Sequence, residues 1–402
     1  MKILKFVVLS SCLLLAPLSF SDYSQQPQVA PFIDRMVEEH QFERAQVLEW
    51  LKVAENQQSI VKAMSRPAEK VKPWHEYRKI FVSELRIKRG VEFWQQHEET
   101  LERAYKEYGV DPAIIVSILG VETNYGRNTG SYRVIDALST LAFDYYHSIE
   151  KRESRKKFFT IQLENLFLLA REQKKDPLSL TGSYAGAMGW GQFMPDSYRD
   201  YAVDFDGDNL ADIWTNPTDA IGSVANYFNK KGGWKKDQPV ATRAHIGDKL
   251  DTQGLNKMRR PQVTIAELIG RGYQPVQNFA EDSLAFPMKL TAKYADEYWL
   301  GFNNFYAIGR YNPRIKYAMA VYQLSLMIKE QRCETSKICS SLFIIDIGIS
   351  LAKSSSLIIF SNNFRLSIYS ISMQFFPFEN NTSKKFTVIG YFVTASSISY
   401  FL

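Results

Sequence analysis

Ile114-Ile115-Val116-Ser117-Ile118-Leu119-Gly120-Val121 is an almost wholly apolar stretch, closed by Glu122 and then by the polar turn Thr123-Asn124-Tyr125-Gly126. Asp111-Pro112 ahead of it reads as a helix start, with Asp as N-cap and Pro at the first helical position. On that helix Ile115, Ile118, Leu119 and Glu122 share one face. The fold must therefore bury an apolar stripe and hold a carboxylate at its C-terminal end. Desolvation there disfavours the charged form, and the negative end of the helix dipole pushes the same way. A glutamate in that setting suits general-acid chemistry. The commoner fate of a last-turn glutamate is to reach into solvent, and the motifs downstream argue against it here.

The chain has 402 residues, enough for two or three domains and a large core. Its 22 Tyr and 26 Phe suit a carbohydrate cleft and an ordinary core equally well. A net charge of +6 suits an acidic polymer or anionic surface but comes without the dense Lys/Arg stripe that nucleic acid requires, so no nucleic-acid partner is expected. Residues 1–21 have the pattern of an export signal: Lys2 and Lys5, an apolar run to Leu18, then Ser19-Phe20-Ser21 for cleavage. Leu9-Ser10-Ser11-Cys12 also has the form of a lipoprotein box, in which Cys12 would carry lipid and anchor the chain to the outer membrane. Leu13-Leu14-Leu15 follow where a mature lipoprotein turns polar, so cleavage near Ser21 is the favoured reading. Both readings place the protein outside the cytoplasm. The remaining cysteines are Cys333 and Cys339, so disulfides do not hold the main body together. His40, His75, His97, His147 and His245 are scattered, with no zinc spacing.

From residue 22 to 110 the pattern is helical, with Phe32-Ile33, Met36-Val37, Phe42, Val47-Leu48 and Leu51 recurring at three- and four-residue steps. Residues 111–240 alternate apolar helices, expected at 111–122, 154–173 and 217–230, with Gly-rich and Asp-rich loops. Residues 241–310 contain Gly/Pro breaks and β-like pieces around Val263-Thr264-Ile265 and Phe286 to Leu290, read as a small β-containing subdomain. A last helix is expected within 311–330. Residues 331–402 then become dense in Ser, Ile, Phe, Asn and Tyr without assignable periodicity. This tail fits read-through of a shifted frame better than a β-prone appendage, and is expected to be poorly packed and without function.

Three motifs carry chemistry. Gly182 to Pro195 interleaves small residues with Ser183, Trp190 and Gln192, which suits either a shallow ligand wall or a tight contact between helices. Asp204-Phe205-Asp206-Gly207-Asp208-Asn209-Leu210-Ala211-Asp212 places acids at alternate loop positions, as a hard cation wants. Asn209 occupies the sharp-turn position and tolerates left-handed geometry. Thr215 stands at the twelfth position, so loop closure falls to Asp212 or Asp219. Tyr311-Asn312, followed by Tyr317, forms a third, polar-aromatic group.

Taken in order, Val121 to Gly126, Gly182 to Pro195, the acid loop with Asp212-Ile213-Trp214, and Ala225-Asn226-Tyr227-Phe228 resemble the lytic murein transglycosylase B family across roughly residues 30–330. The resemblance implies a mainly α (α+β) protein: a lysozyme-like catalytic core flanked by a helical domain and a small β-containing domain. It implies a periplasmic enzyme acting on peptidoglycan glycan strands, cleaving the MurNAc–GlcNAc β-1,4 bond without water to leave a 1,6-anhydro end. By position, Glu122 matches the family's catalytic acid/base. Ser183 and Gln192 match cleft residues, and Tyr77, Tyr227, Tyr311, Asn312 and Tyr317 match sugar-subsite positions. Asp204, Asp206, Asp208, Leu210 (through its carbonyl) and Asp219 match a structural calcium loop, although spacing and acid content depart from one described family form. A monomer with no organic cofactor is expected. Hydrolytic glycosidases usually need two carboxylates, whereas a lone Glu122 suffices if the MurNAc C6 hydroxyl attacks internally. The alternatives are a hydrolytic muramidase and a noncatalytic, calcium-dependent peptidoglycan-binding protein.

Overall fold

In the computed structural model, residues 22–65, 72–146 and 152–335 are described; the export-signal segment with Cys12, and the tail beyond residue 335, lie outside them. The apolar stretch forms the helix Pro112–Thr123, and Ala113 to Val121 are all buried. A helix apolar on every side belongs at the centre of a fold. Four helices accordingly surround it: Glu84–Gln96, Glu98–Tyr108, Pro217–Tyr227 and Ile315–Thr335. Asp111 caps its start, its side chain accepting from the Ala113 N–H at 2.9 Å, with Pro112 next in line.

The N-terminal helices Ala30–Glu38, Arg44–Lys52 and Gln58–Ser65 bury Phe32, Ile33, Met36, Val47, Leu51 and Ile60. They join the same continuous core as the central helix. Polar ties reinforce the join: Tyr23 and Asn56 both donate to Asp144, on the π-helix Thr140–Tyr145. The expected helix at 154–173 is Glu153–Glu172, and that at 217–230 is Pro217–Tyr227 continued by a π-helical turn, Phe228–Gly232. The last body helix runs Ile315–Thr335, past the boundary at 331 that composition suggested.

Among the described residues the strands are β1 Tyr132–Arg133, β2 Thr181–Gly182, β3 Ala241–Ile246, β4 Val263–Thr264, β5 Tyr273–Pro275, β6 Leu284–Thr291 and β7 Asp296–Gly301. The last five form one antiparallel sheet in the order β4-β6-β7-β3-β5, with Phe286 opposite Gly301 and Met288 opposite Trp299. Strand alternation explains why both faces are covered. Phe286, Met288, Leu290 and Trp299 face the main core, while Ala285 and Leu300 join Val263, Ile265, Leu268, Tyr273 and Phe302 in a second, smaller one. The result, among the described residues, is a mainly helical protein with a five-stranded sheet and a short β1-β2 pair. Among the described residues no helix is long and apolar enough to cross a membrane.

Candidate active site

Glu122 lies in the last turn of the central helix, half-buried. The chain turns sharply straight after it, through three successive residues at positive φ: Asn124 (53°), Tyr125 (61°) and Gly126 (77°). Backbone bonds hold this unusual path, from Asn124 N–H to the Gly120 carbonyl at 3.1 Å and from Tyr125 N–H to the Leu119 carbonyl at 3.0 Å. The Tyr125 ring is buried against Phe93, and its hydroxyl donates to the Arg86 carbonyl at 2.8 Å. Strain so well supported marks a place where geometry is being fixed.

The Tyr317 hydroxyl donates to Glu122 Oε1 at 2.5 Å. Tyr311 stands beside the same carboxyl and donates to the Gly191 carbonyl at 2.5 Å. Burial raises both tyrosine hydroxyls well above their ordinary range, and the negative charge of Glu122 raises them further. Both hydroxyls therefore stay protonated and act as donors at any pH where the protein works. Removing one of them is informative. Tyr317→Phe deletes a hydrogen bond that is worth about 1.5–3 kcal/mol once its carboxyl partner is charged, which is about a 10- to 100-fold loss in any rate whose transition state develops that charge. Initial catalytic rates, alongside the unfolding midpoint, measure it; an unchanged rate means the bond is merely structural.

Gly182 to Pro195 forms a folded wall and not a contact between helices. Met188 and Phe193 exchange backbone hydrogen bonds at 2.8 and 2.9 Å, and β2 pairs with β1 at its start. Gln192 has φ +52° and turns its amide inward, Nε2 donating to the Thr129 and Gly189 carbonyls at 3.0 Å each. Ser183 Oγ accepts the Ala187 N–H at 3.1 Å. Ser183 thus shapes the wall through the wall's own backbone, and Gln192 also ties it to the Thr129 carbonyl outside it. Trp190 lies flat against Gly126, where a Cβ would come within 2.3 Å of the indole, and its Nε1 donates to the Trp214 carbonyl at 2.8 Å. Gly126→Ala combines positive-φ strain with this clash, together about 2–4 kcal/mol. Denaturant unfolding should show that loss, and activity should fall with it because the wall must shift.

Tyr227 and Tyr311 pack ring to ring at 4.7 Å, and the Tyr227 hydroxyl donates to the Arg310 carbonyl at 2.7 Å. Tyr227 is 5% exposed and Tyr77 2%, so both support the site from within the core. Tyr77 packs against Trp74 and Phe81, close enough to Tyr317 for its hydroxyl to influence it. Asn312 caps the helix Asn303–Tyr311 and is partly exposed.

In the acid loop, the carboxylates of Asp204, Asp206, Asp208 and Asp219 bring ligand oxygens within 4.8 Å of one another. Asn209 takes the left-handed turn at φ +70°. Of the two candidates for closure, Asp219 joins the cluster, while the Asp212 side chain caps its own turn, accepting from Trp214 N–H at 2.9 Å and Thr215 N–H at 3.1 Å. Leu210 sits in the same loop, its N–H bonded to Asp208 at 2.8 Å. Burial raises the Asp219 carboxyl above its usual range against two backbone N–H bonds that lower it, and the charges of Asp206 and Asp204 add to the rise. Four carboxylates crowded around one point, one of them buried, fit a hard divalent cation with oxygen ligands.

Against known proteins, residues 24–326 match the family described as transglycosylase SLT domain. The chain belongs to that family. It is an enzyme of the lytic transglycosylase class, which sets aside the noncatalytic alternative. This transglycosylase is 42% identical over 322 residues to membrane-bound lytic murein transglycosylase B of Escherichia coli (strain K12), covering 78% of the chain and 86% of the relative. The structure of catenated lytic transglycosylase SltB1 from Pseudomonas aeruginosa superposes with a TM-score of 0.72 at 51% identity, covering 77% of this chain and 100% of that one. The Escherichia coli lytic transglycosylase Slt35 in complex with calcium superposes at 0.69 with 42% identity, covering 77% and 95%.

One residue of the transglycosylase site went unassigned in the sequence. Thr123 is fully buried; its Oγ1 lies 2.9 Å from the Trp190 carbonyl and accepts the Gly126 N–H at 3.0 Å. It ties the wall to the helix end one residue from Glu122. A hydroxyl directly after the acid was the available signal, but a threonine in a helix's last turn has many ordinary uses.

Proposed function

We propose that the protein cleaves the MurNAc–GlcNAc β-1,4 bond of peptidoglycan without water, leaving 1,6-anhydroMurNAc ends, with Glu122 as acid and then base. The observation that carries this reading is the half-buried Glu122 carboxyl held by Tyr317 against a wall anchored through Tyr311. Glu122 protonates the glycosidic oxygen as the bond to the leaving sugar breaks. The resulting carboxylate takes the proton from the MurNAc C6 hydroxyl, whose oxygen closes on the anomeric carbon. The Tyr317 hydrogen bond strengthens as Glu122 becomes charged and so favours the step in which the proton leaves. Holding one sugar for internal attack removes the entropy cost of recruiting a second reactant. Ser183, Gln192 and Asn312, with Tyr77, Tyr227, Tyr311 and Tyr317 behind them, are the proposed glycan-lining and supporting set.

The acid loop is proposed to hold calcium through Asp204, Asp206, Asp208 and Asp219, with the Leu210 carbonyl as a further ligand. The ion would neutralise the crowded carboxylates and brace the loop, away from the chemistry. The proposed site of action is the periplasm, reached by the export signal with cleavage near Ser21 as the favoured reading and an outer-membrane anchor through lipidated Cys12 as the alternative. Incubation with purified sacculi and mass analysis of the fragments tests the reaction: anhydro ends are lighter by one water than the reducing ends a muramidase leaves.

A further inference from the structure

The helix that carries Glu122 ends one residue later, at Thr123, and the chain then passes through two left-handed residues that are not glycine, Asn124 and Tyr125. A helix end with such a sequel frays unless groups outside the helix hold it. Thr123 supplies three ties. Its hydroxyl accepts the Gly126 N–H at 3.0 Å, closing the turn on itself, and its carbonyl accepts the Asn128 N–H at 2.9 Å. The single hydroxyl proton has two carbonyls in reach, that of Trp190 at 2.9 Å and that of Leu119, one helical turn back, at 3.2 Å. The shorter bond crosses from the helix to the wall, between residues 67 apart in the chain.

Trp190 is itself fixed from behind. Its N–H donates to the Ile213 carbonyl at 2.9 Å and its indole N–H to the Trp214 carbonyl at 2.8 Å. The next carbonyl along, that of Gly191, receives the Tyr311 hydroxyl, and Tyr311 stands beside the Glu122 carboxyl. A circuit therefore runs from Glu122 through Thr123, Trp190, Gly191 and Tyr311 back to Glu122, and the Thr123–Trp190 bond is where helix meets wall. Packing of the indole on Gly126 adds contact at the same join. A ring face lets its neighbour slide, whereas a hydrogen bond fixes a direction and a distance. Thr123 is fully buried, so a hydroxyl lost there is not replaced from solvent.

We infer that Thr123 is a positioning residue for Glu122: its hydroxyl sets the register of the helix end against the wall, and so the place of the carboxyl relative to Tyr311 and a bound glycan. The inference rests on Glu122 being the acid and base of the proposed reaction. Thr123 acts through the backbone on either side of it and needs no contact with substrate.

The test compares Thr123→Val, which keeps the branched shape and loses the hydroxyl, with Thr123→Ser, which keeps the hydroxyl and loses a methyl. Rates on soluble peptidoglycan strands are taken well below each unfolding midpoint and expressed per folded molecule. In Thr123→Val, kcat should fall by about 10- to 100-fold with KM within about threefold of wild type, the effect of displacing a reacting group by on the order of an ångström. Thr123→Ser should recover most of that loss. Ile60→Val, buried in the helix Gln58–Ser65, also lowers stability and should keep the wild-type kcat. If Thr123→Val fails to fold, Thr123→Cys takes its place, with a similar volume and a far weaker donor and acceptor. A wild-type kcat in the folded variant, or a loss that Thr123→Ser does not recover, would overturn the inference. Glu122→Gln assayed in parallel keeps the two claims apart. Substantial turnover there counts against Glu122 as acid and base, whereas a wild-type kcat in Thr123→Val beside an inactive Glu122→Gln counts against Thr123 alone.

Discussion

Glu122→Gln is expected to slow release of soluble fragments from sacculi by about 10³- to 10⁴-fold, the upper part of the range for a lost acid–base group. One side chain gives a proton in the first half of the proposed reaction and takes one in the second, so the amide fails at both. Glutamine keeps the size of the side chain and can still receive the Tyr317 hydroxyl at its carbonyl oxygen, so the fold should hold and the unfolding midpoint should barely move. Glycan binding should remain measurable for the same reason. Rates on sacculi, with sedimentation of the bound variant, test both halves. Activity within tenfold of wild type would remove Glu122 from the chemistry.

Asp219→Ala should be the most damaging single change to stability outside the apolar core. Asp219 is fully buried, and its two oxygens accept the Phe205 and Asp212 N–H groups at 2.7 Å each. Alanine strands both donors, a loss of about 3–5 kcal/mol for a broken buried charged network. Relief of repulsion from Asp206 and Asp204 offsets part of that when no cation is present. The variant should therefore differ most from wild type in calcium. Wild-type protein should melt at a higher temperature in calcium than in a chelator, and Asp219→Ala should lose that difference. Equal melting of wild type in both conditions would count against calcium at this loop.

What the sequence made legible follows from range. Asp111-Pro112 marks the helix start because capping is a matter of neighbouring residues, and the cap is present. Asn209 at the sharp turn is equally local, and it takes the left-handed conformation. Long-range arrangement was harder. Spacing alone leaves Asp212 and Asp219 both open for closing the acid loop and the family resemblance points to Asp219; the fold shows Asp212 occupied by its own turn. The small-residue run at 182–195 fitted two structures equally because glycine permits both, and its pairing with β1, about fifty residues earlier, decided for the wall. Strands β3 and β7 were not singled out; each takes its partners from residues distant in the chain or across a hairpin, and their alternation is weak where both faces are covered. The Tyr227 phenol matched a sugar-subsite position, but the fold directs it to the Arg310 carbonyl, a contact 83 residues away.

Glu122 is proposed to work without a second catalytic carboxylate because the sugar provides its own nucleophile. Digestion of sacculi in H₂¹⁸O, followed by mass analysis of the new MurNAc ends, tests this most directly. Anhydro ends carrying no ¹⁸O are expected from the first turnover onward. New ends bearing one ¹⁸O at the anomeric position would show that water attacked, and would contradict it.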